Sequence, residues 1–180
     1  NAQKKPEKAL QIIKDCYQKG QRWIIYCDNQ IQLGKVLNLL IQHGYDAYEY
    51  HSDMLGDREQ TLLYFEHHGG LLVSIRCLDE GVDIPSTTHA LILASSKNPR
   101  EFIQRRGRVL RKHPNKYYAY LFDVLVLPNL TSVFAGQSSQ SSIVASEIAR
   151  AIQFGEMAEN PSCISVLRNI AVDFGLKLEE

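Results

Sequence analysis

Two periodicities of apolar residues take turns along this chain. Ala9, Ile12, Ile13, Cys16 and Tyr17 recur at helical spacing, with Pro6 suited to a first turn, and predict a helix running up to Gly20. Trp23-Ile24-Ile25-Tyr26-Cys27 is then apolar at every position, as in a strand buried on both faces of a parallel sheet. Asp28 or Asn29 offers a cap for a second helix, whose inward stripe is Leu33, Val36, Leu37, Leu40 and Ile41 and which Gly44 ends. A strand over 45–50 follows, then a helix over 57–67 with Leu62, Leu63 and Phe65 inward. His67 and His68 suit the negative pole of that helix. Gly69-Gly70 turns the chain into a short buried strand over 71–75. Further strands are predicted over 89–94 and 117–125, with a helix starting near Asn98-Pro99 between them.

Strands alternating with helices of this length predict an α/β fold, a parallel sheet with helices on both faces. The character changes after Pro128. Residues 136–142 are polar and rich in serine and glutamine, as in a linker or loop. The expected division is therefore 1–128 for the sheet domain, 129–142 for a loop or linker, and 143–180 for a helical extension. Val144, Ile148, Ala151 and Ile152 form one stripe there, and Ile164, Leu167, Ala171 and Phe174 another. Such stripes must pack on something: the sheet domain's own surface, or a further domain of a longer protein. No internal repeat is visible.

Composition narrows the classes. Of 180 residues, 44% are hydrophobic and 22% charged, which is ordinary for a soluble globular protein. No apolar run approaches the ~20 residues of a membrane span, and no signal peptide is visible, so no membrane partner is expected. The chain opens Asn1-Ala2 without methionine, as a cloning remnant or a cut from a longer protein would. Cys16, Cys27, Cys77 and Cys163 are scattered without a Cys-x-x-Cys pair. They read as reduced packing residues of a cytoplasmic protein, with no metal site expected.

Charge changes the picture more. Net charge is zero, yet residues 98–116 carry Arg100, Arg105, Arg106, Arg108, Arg111, Lys112 and Lys116 against Glu101 alone, a local +6. Positive charge gathered in one stretch of a neutral chain points to a local anionic partner. Within it lies Gln104-Arg105-Arg106-Gly107-Arg108-Val109-Leu110-Arg111. On a helix, Arg105, Arg108 and Arg111 drift only about 60° per step along one face. Guanidinium forks hold planar oxyanions and suit a phosphate gaining charge in a transition state. A solvated basic helix face is the alternative for such a run taken alone.

A second segment weighs against that alternative. The strand over 71–75 runs into Arg76-Cys77-Leu78-Asp79-Glu80-Gly81-Val82-Asp83-Ile84-Pro85. Together the two segments resemble the C-terminal RecA-like motor lobe of superfamily-2 helicases and translocases, over roughly residues 8–128. Residues 74–85 resemble the family's motif V and 104–111 its motif VI, Q-R-x-G-R-x-x-R, in the right order and spacing.

The resemblance implies ATP bound between two such lobes, with the N-terminal RecA-like lobe of the same protein as partner. The chain contains no G-x-x-x-x-G-K-[ST] and no Asp-Glu-x-Asp or Asp-Glu-x-His box, so the Mg2+ ligands are expected on that other lobe. By position Arg108 and Arg111 are the implied arginine fingers. Gln104 and Arg105 are implied at the nucleotide or the lobe interface, Gly81 at a tight backbone path, and Asp83 at the ATP ribose. A turn role for Asp83 before Pro85 and an internal salt bridge for Arg105 stay open. For the nucleic-acid track the resemblance implies Asn29, His51, Ser52, Arg58 and Ser74. A structural hydrogen-bonding role for His51 also stays open. Many members have threonine where this chain has Ile75, and Ser74 is a doubtful substitute because a strand alternates faces. Gln104, where DEAD-box RNA helicases begin the motif with histidine, implies a DNA helicase or translocase. The alternatives are a non-catalytic nucleic-acid or partner-binding module and a lobe of an RNA helicase.

Overall fold

The computed structural model describes residues 4–75, 84–94, 111–114, 116–127, 138–156, 158–160 and 162–175. Helix α1 (Lys5–Cys16) leads to β1 (Arg22–Cys27), α2 (Gln30–Gln42), β2 (Ala47–Tyr50), α3 (Arg58–His68) and β3 (Gly70–Ile75). With β4 (His89–Ile92) and β5 (Tyr120–Asp123) these strands form a five-stranded sheet in the order β2-β3-β1-β4-β5. Every pairing is parallel, so the α/β expectation holds. The helix expected near Asn98-Pro99 lies outside the described residues.

The unbroken apolar run of β1 has its explanation in position: it is hydrogen-bonded to β3 on one side and β4 on the other. Trp23, Ile25 and Cys27 share one face with Leu71, Val73 and Leu91, and Ala9 and Ile13 of α1 and Leu33, Val36 and Leu40 of α2 cover it. The opposite face is equally dry, with Ile24, Tyr26, Leu72, Ala90 and Ile92 buried. Removing this much apolar surface from water is the main stabilising term of the unit.

Three sequence expectations are corrected here. Ile41 is exposed rather than inward. It lies about 100° around the helix from Leu40, outside the Leu33–Val36–Leu40 seam. Leu63 is also exposed, and Phe65 is the buried residue of α3. Two residues subtend about 200° on a helix, so Leu63 and Phe65 cannot share a face. Helix α1 stops at Cys16 because Tyr17 is extended (φ −74°, ψ 135°) while its amide still donates to Ile13 O.

The chain divides into two compact units, Gln3–Val124 and one containing Leu125–Glu180. The second holds α4 (Ser138–Gly155) and α5 (Ser162–Asp173). Val144, Ile148 and Ile152 pack with Ala171, Phe174, Ile164 and Leu167, so the two stripes cover each other. Residues 138–142 belong to α4, which corrects the reading of 129–142 as a loop throughout. Serine and glutamine cost a helix only tenths of a kcal/mol each, so a packed stripe downstream suffices to extend it.

A row of stacked rings crosses the amino ends of the central strands. His89 lies between Trp23 (centroids 4.4 Å apart, planes at 5°) and Tyr120 (4.7 Å, 14°). Exposure rises along it from Trp23 (0%) through His89 (7%) to Tyr120 (51%). Burial pulls the His89 imidazole down to about 4. Unfolded, it titrates near 6.5, so below that pH the unfolded chain takes up a proton that the folded chain refuses. Stability is therefore full above pH ~6.5 and falls as pH drops towards 4, by about 2 kcal/mol at pH 5 from this residue. In His89→Phe, which keeps the stack without the proton, urea unfolding at pH 7 and pH 5 should show that part of the loss removed.

Candidate functional site

In an all-parallel sheet the carboxyl ends of the strands share one edge, and open α/β folds take their ligands there. The turn Asp28-Asn29 leaves β1 at that edge and starts α2. Asn29 is extended (φ −154°, ψ 172°) and its Oδ1 accepts the Gln32 amide at 3.0 Å. Gln32 reaches back, its Oε1 accepting the Asp28 amide at 2.7 Å, a close relative of the capping box. The Asn-x-x-Gln spacing carried this signal in the sequence. The first amides of α2 have no partner within their own helix, and with the helix dipole they favour an anion.

The loop after β2 lies beside this turn. Gln30 Nε2 donates to Asp53 Oδ2 at 3.2 Å, joining the two loops directly. His51 is 8% exposed and works inside its own loop. Its Nδ1 accepts the Asp53 amide at 3.2 Å, which leaves the proton on Nε2, 3.4 Å from Glu49 Oε2. The structural reading of His51 thus describes its geometry, while Ser52 and Asp53 are exposed at the tip. Asp57 caps α3 by accepting the Glu59 and Gln60 amides at 2.9 and 3.1 Å, and so presents Arg58 on the first turn. The Arg58 guanidinium donates to Tyr50 Oη at 3.2 Å and lies 5.1 Å from the centre of that ring. Tyr50, a positioning group for Arg58, had no signal in the sequence beyond its place at the end of a strand.

Ser74 is a correction. In register it sits between Tyr50 of β2 and Tyr26 of β1, in a row crossing the sheet. It is 0% exposed, so it offers no surface contact in this structure, and its Oγ has no hydrogen-bond partner among the described residues. Ile75 belongs to the opposite face and packs on the core beneath α1 and α2, as strand alternation demands.

Asn29, His51, Ser52 and Arg58 thus gather at one edge. The acids Asp28, Asp53 and Asp57 stand among them, so amides, hydroxyls and Arg58 are the groups suited to a phosphate there. Gly81, Asp83, Gln104, Arg105 and Arg108 lie outside the described residues. Arg111 is described and exposed. Its carbonyl accepts the Lys116 ammonium at 3.0 Å, and the same ammonium donates to Pro85 O at 3.2 Å. The ends of the two sequence motifs, Pro85 and Arg111, are thereby held together. They lie beside the segments leading into the amino ends of β4 and β5.

Two further groups bear on chemistry. Burial, then the neighbouring Asp28 carboxylate, pushes the Cys27 thiol up to about 12, so it is a packing residue and not a nucleophile. Lys5, 4% exposed, donates to Leu93 O at the end of β4, a buried cation the sequence did not announce. Among the described residues no three His, Cys, Asp or Glu side chains gather to hold a metal, and no helix is long and apolar enough to cross a membrane.

Residues 4–113, more than half of the chain, match the family described as helicase conserved C-terminal domain, and the chain belongs to it. The sheet has the RecA-like fold of helicase C-terminal domains. The C-terminal domain of the DEAD-box protein Dbp5 superposes with a TM-score of 0.60 at 16% identity, over 86% of this chain and 81% of that one. The DEAD-box protein SrmB of E. coli gives 0.55 at 18% identity, over 69% and 72%. In sequence the chain is 32% identical over 114 residues to the DNA 3'-5' translocase XPB2 of Sulfurisphaera tokodaii, covering 62% of this chain and 24% of that protein. It is 29% identical over 124 residues to a Methanocaldococcus jannaschii protein described as an ATP-dependent RNA helicase, covering 63% and 16%. The chain therefore spans a quarter or less of the length of these two relatives.

Proposed function

We propose that this chain is the second motor lobe of an ATP-dependent DNA helicase or translocase. The observation that carries the reading is the Gln-Arg-x-Gly-Arg-x-x-Arg run of residues 104–111 inside the matched helicase domain. Arg108 and Arg111 reach the transferring phosphoryl group as arginine fingers, with Gln104 and Arg105 beside them. Gly81 and Asp83 contact the nucleotide, Asp83 through its ribose. A partner N-terminal RecA-like lobe supplies the phosphate-binding loop and the Mg2+ ligands, and Mg2+ supplies charge neutralisation on the phosphates. Alone, the chain is expected to hydrolyse ATP no faster than background. Turnover dependent on Arg108, in a preparation free of other ATPases, would sink the two-lobe reading.

Nucleic acid runs along the carboxyl edge, over Asn29 with the first amides of α2, Ser52 and Arg58, with His51 shaping the loop. Contacts are to backbone phosphate and indifferent to sequence. Binding by this lobe alone should be weak and salt-sensitive, because it is made to phosphate. Amide chemical shifts of the chain titrated with a single-stranded oligonucleotide should move at Asn29, Ser52 and Arg58. Shifts confined to 105–111 would reverse the assignment of the two surfaces.

Gln104 and the XPB2 relative favour DNA. An RNA substrate is the second reading, favoured by the relative described as an RNA helicase. ATP turnover of a protein carrying both lobes, measured with single-stranded DNA and with RNA of equal length, separates the two: stimulation by RNA alone would replace DNA in the proposal.

A further inference from the structure

Lys116 takes no part in the reading above, yet its side chain makes an unusual bridge. Its ammonium donates to two backbone carbonyls from distant parts of the chain, Arg111 O at 3.0 Å and Pro85 O at 3.2 Å. A tight turn brings it there: the Lys116 amide donates to His113 O at 3.0 Å, so the chain reverses within four residues. The segments that carry Pro85 and Lys116 are both tied to the sheet. Just beyond Pro85, the Thr88 amide donates to Arg22 O at the start of β1. Just beyond Lys116, the Tyr120 amide donates to Thr88 O as β5 begins. The backbone of Arg111 is thus fastened, through one cation, to two segments that the sheet holds.

We propose that Lys116 is a positioning residue for Arg111. The inference rests on Arg111 acting as proposed above. A long arginine side chain can meet a transition-state charge repeatedly only if its backbone is held still, because small misplacements forfeit most of the gain. Charge-assisted bonds to carbonyl oxygens are suited to that task, being stronger than neutral ones. Methionine, neutral and one atom shorter, fills most of the space and makes neither bond. Arginine keeps the charge and the donors.

The test is steady-state ATP turnover, at saturating nucleic acid, in a protein carrying both lobes. Lys116→Met should lower kcat by about tenfold while KM for ATP stays within about twofold, since the loss falls on the transition state. Lys116→Arg should recover most of the loss. In an Arg111→Ala background, Lys116→Met should cost nothing more, because a residue acting through Arg111 has nothing left to position. Ile13→Val, a change in the core beneath α1, controls for lost stability and should leave kcat unchanged. Turnover of Lys116→Met within about twofold of the parent, or an undiminished loss on the Arg111→Ala background, overturns the positioning role. Normal turnover in Arg111→Ala alone instead overturns the underlying assignment of Arg111, so the two failures are distinguishable.

Discussion

Arg108→Ala, in a protein carrying both lobes, is expected to lower ATP turnover by about 10³-fold or more. The reason is where the interaction is made. A guanidinium aimed at the γ-phosphate gains most when charge accumulates on the transferring group, so it stabilises the transition state far more than bound ATP. Nucleotide affinity should therefore change little. Arg108→Lys should fail nearly as badly, because an ammonium carries the charge without the planar fork. Arg111→Ala should show the same pattern. Phosphate release under saturating nucleic acid, with nucleotide binding measured separately, checks all three. Near-normal turnover in either alanine variant would remove that arginine from the chemistry. A parallel loss of ATP binding would make it a ground-state contact.

The second large effect concerns the fold. Gly70→Ala is expected to destabilise the first unit by about 3 kcal/mol, a large fraction of the 5–15 kcal/mol typical of a domain. Gly69 and Gly70 carry the chain from α3 into β3 with φ +77° and +113°. The passage is narrow: the Gly70 amide donates to Gln21 O at 2.8 Å and the Leu71 amide to Asp46 O at 2.9 Å. A Cβ on Gly70 would stand 2.8 Å from Asp46 O and 2.9 Å from the Tyr48 ring. The carbonyl cannot retreat without breaking its bond, and the ring is itself packed edge-on against Tyr64, 5.5 Å between centres. Gly44 is the control. It shares the positive φ, +79°, but a Cβ there meets nothing within 4 Å. Gly44→Ala should cost only about 1–2 kcal/mol, the backbone part alone. Equal urea midpoints for the two variants would show that close approach adds nothing at Gly70.

Several features were legible because local chemistry leaves them little choice. A five-residue run rich in aromatic and β-branched residues suits a strand covered on both faces, and Trp23–Cys27 is found between two strands. A cap at Asp28 or Asn29 was readable, since a short side-chain oxygen before an apolar stripe satisfies amides the helix cannot. Asn29 proves to be the one, whereas the Asp57 cap of α3 came from the structure. Family membership was likewise readable, because residues 74–85 and 104–111 carry their chemistry as contiguous strings. What needed the fold was everything set by residues far apart in sequence. Ser74 and Ile75 are neighbours in the chain but lie on opposite faces, and Ser74, in register with Tyr26 and Tyr50, is fully buried. His51 became a loop organiser once Glu49 and the Asp53 amide came within reach. Lys116 looked like one more cation in a basic stretch until the turn at 113–116 carried it to two carbonyls. Periodicity and capping act over a few residues, so the sequence by itself determined the described strands and helices, their order and the family. Which side chain a ring buries, and which carbonyl a lysine reaches, depends on strand order and register, and those only the tertiary structure decided.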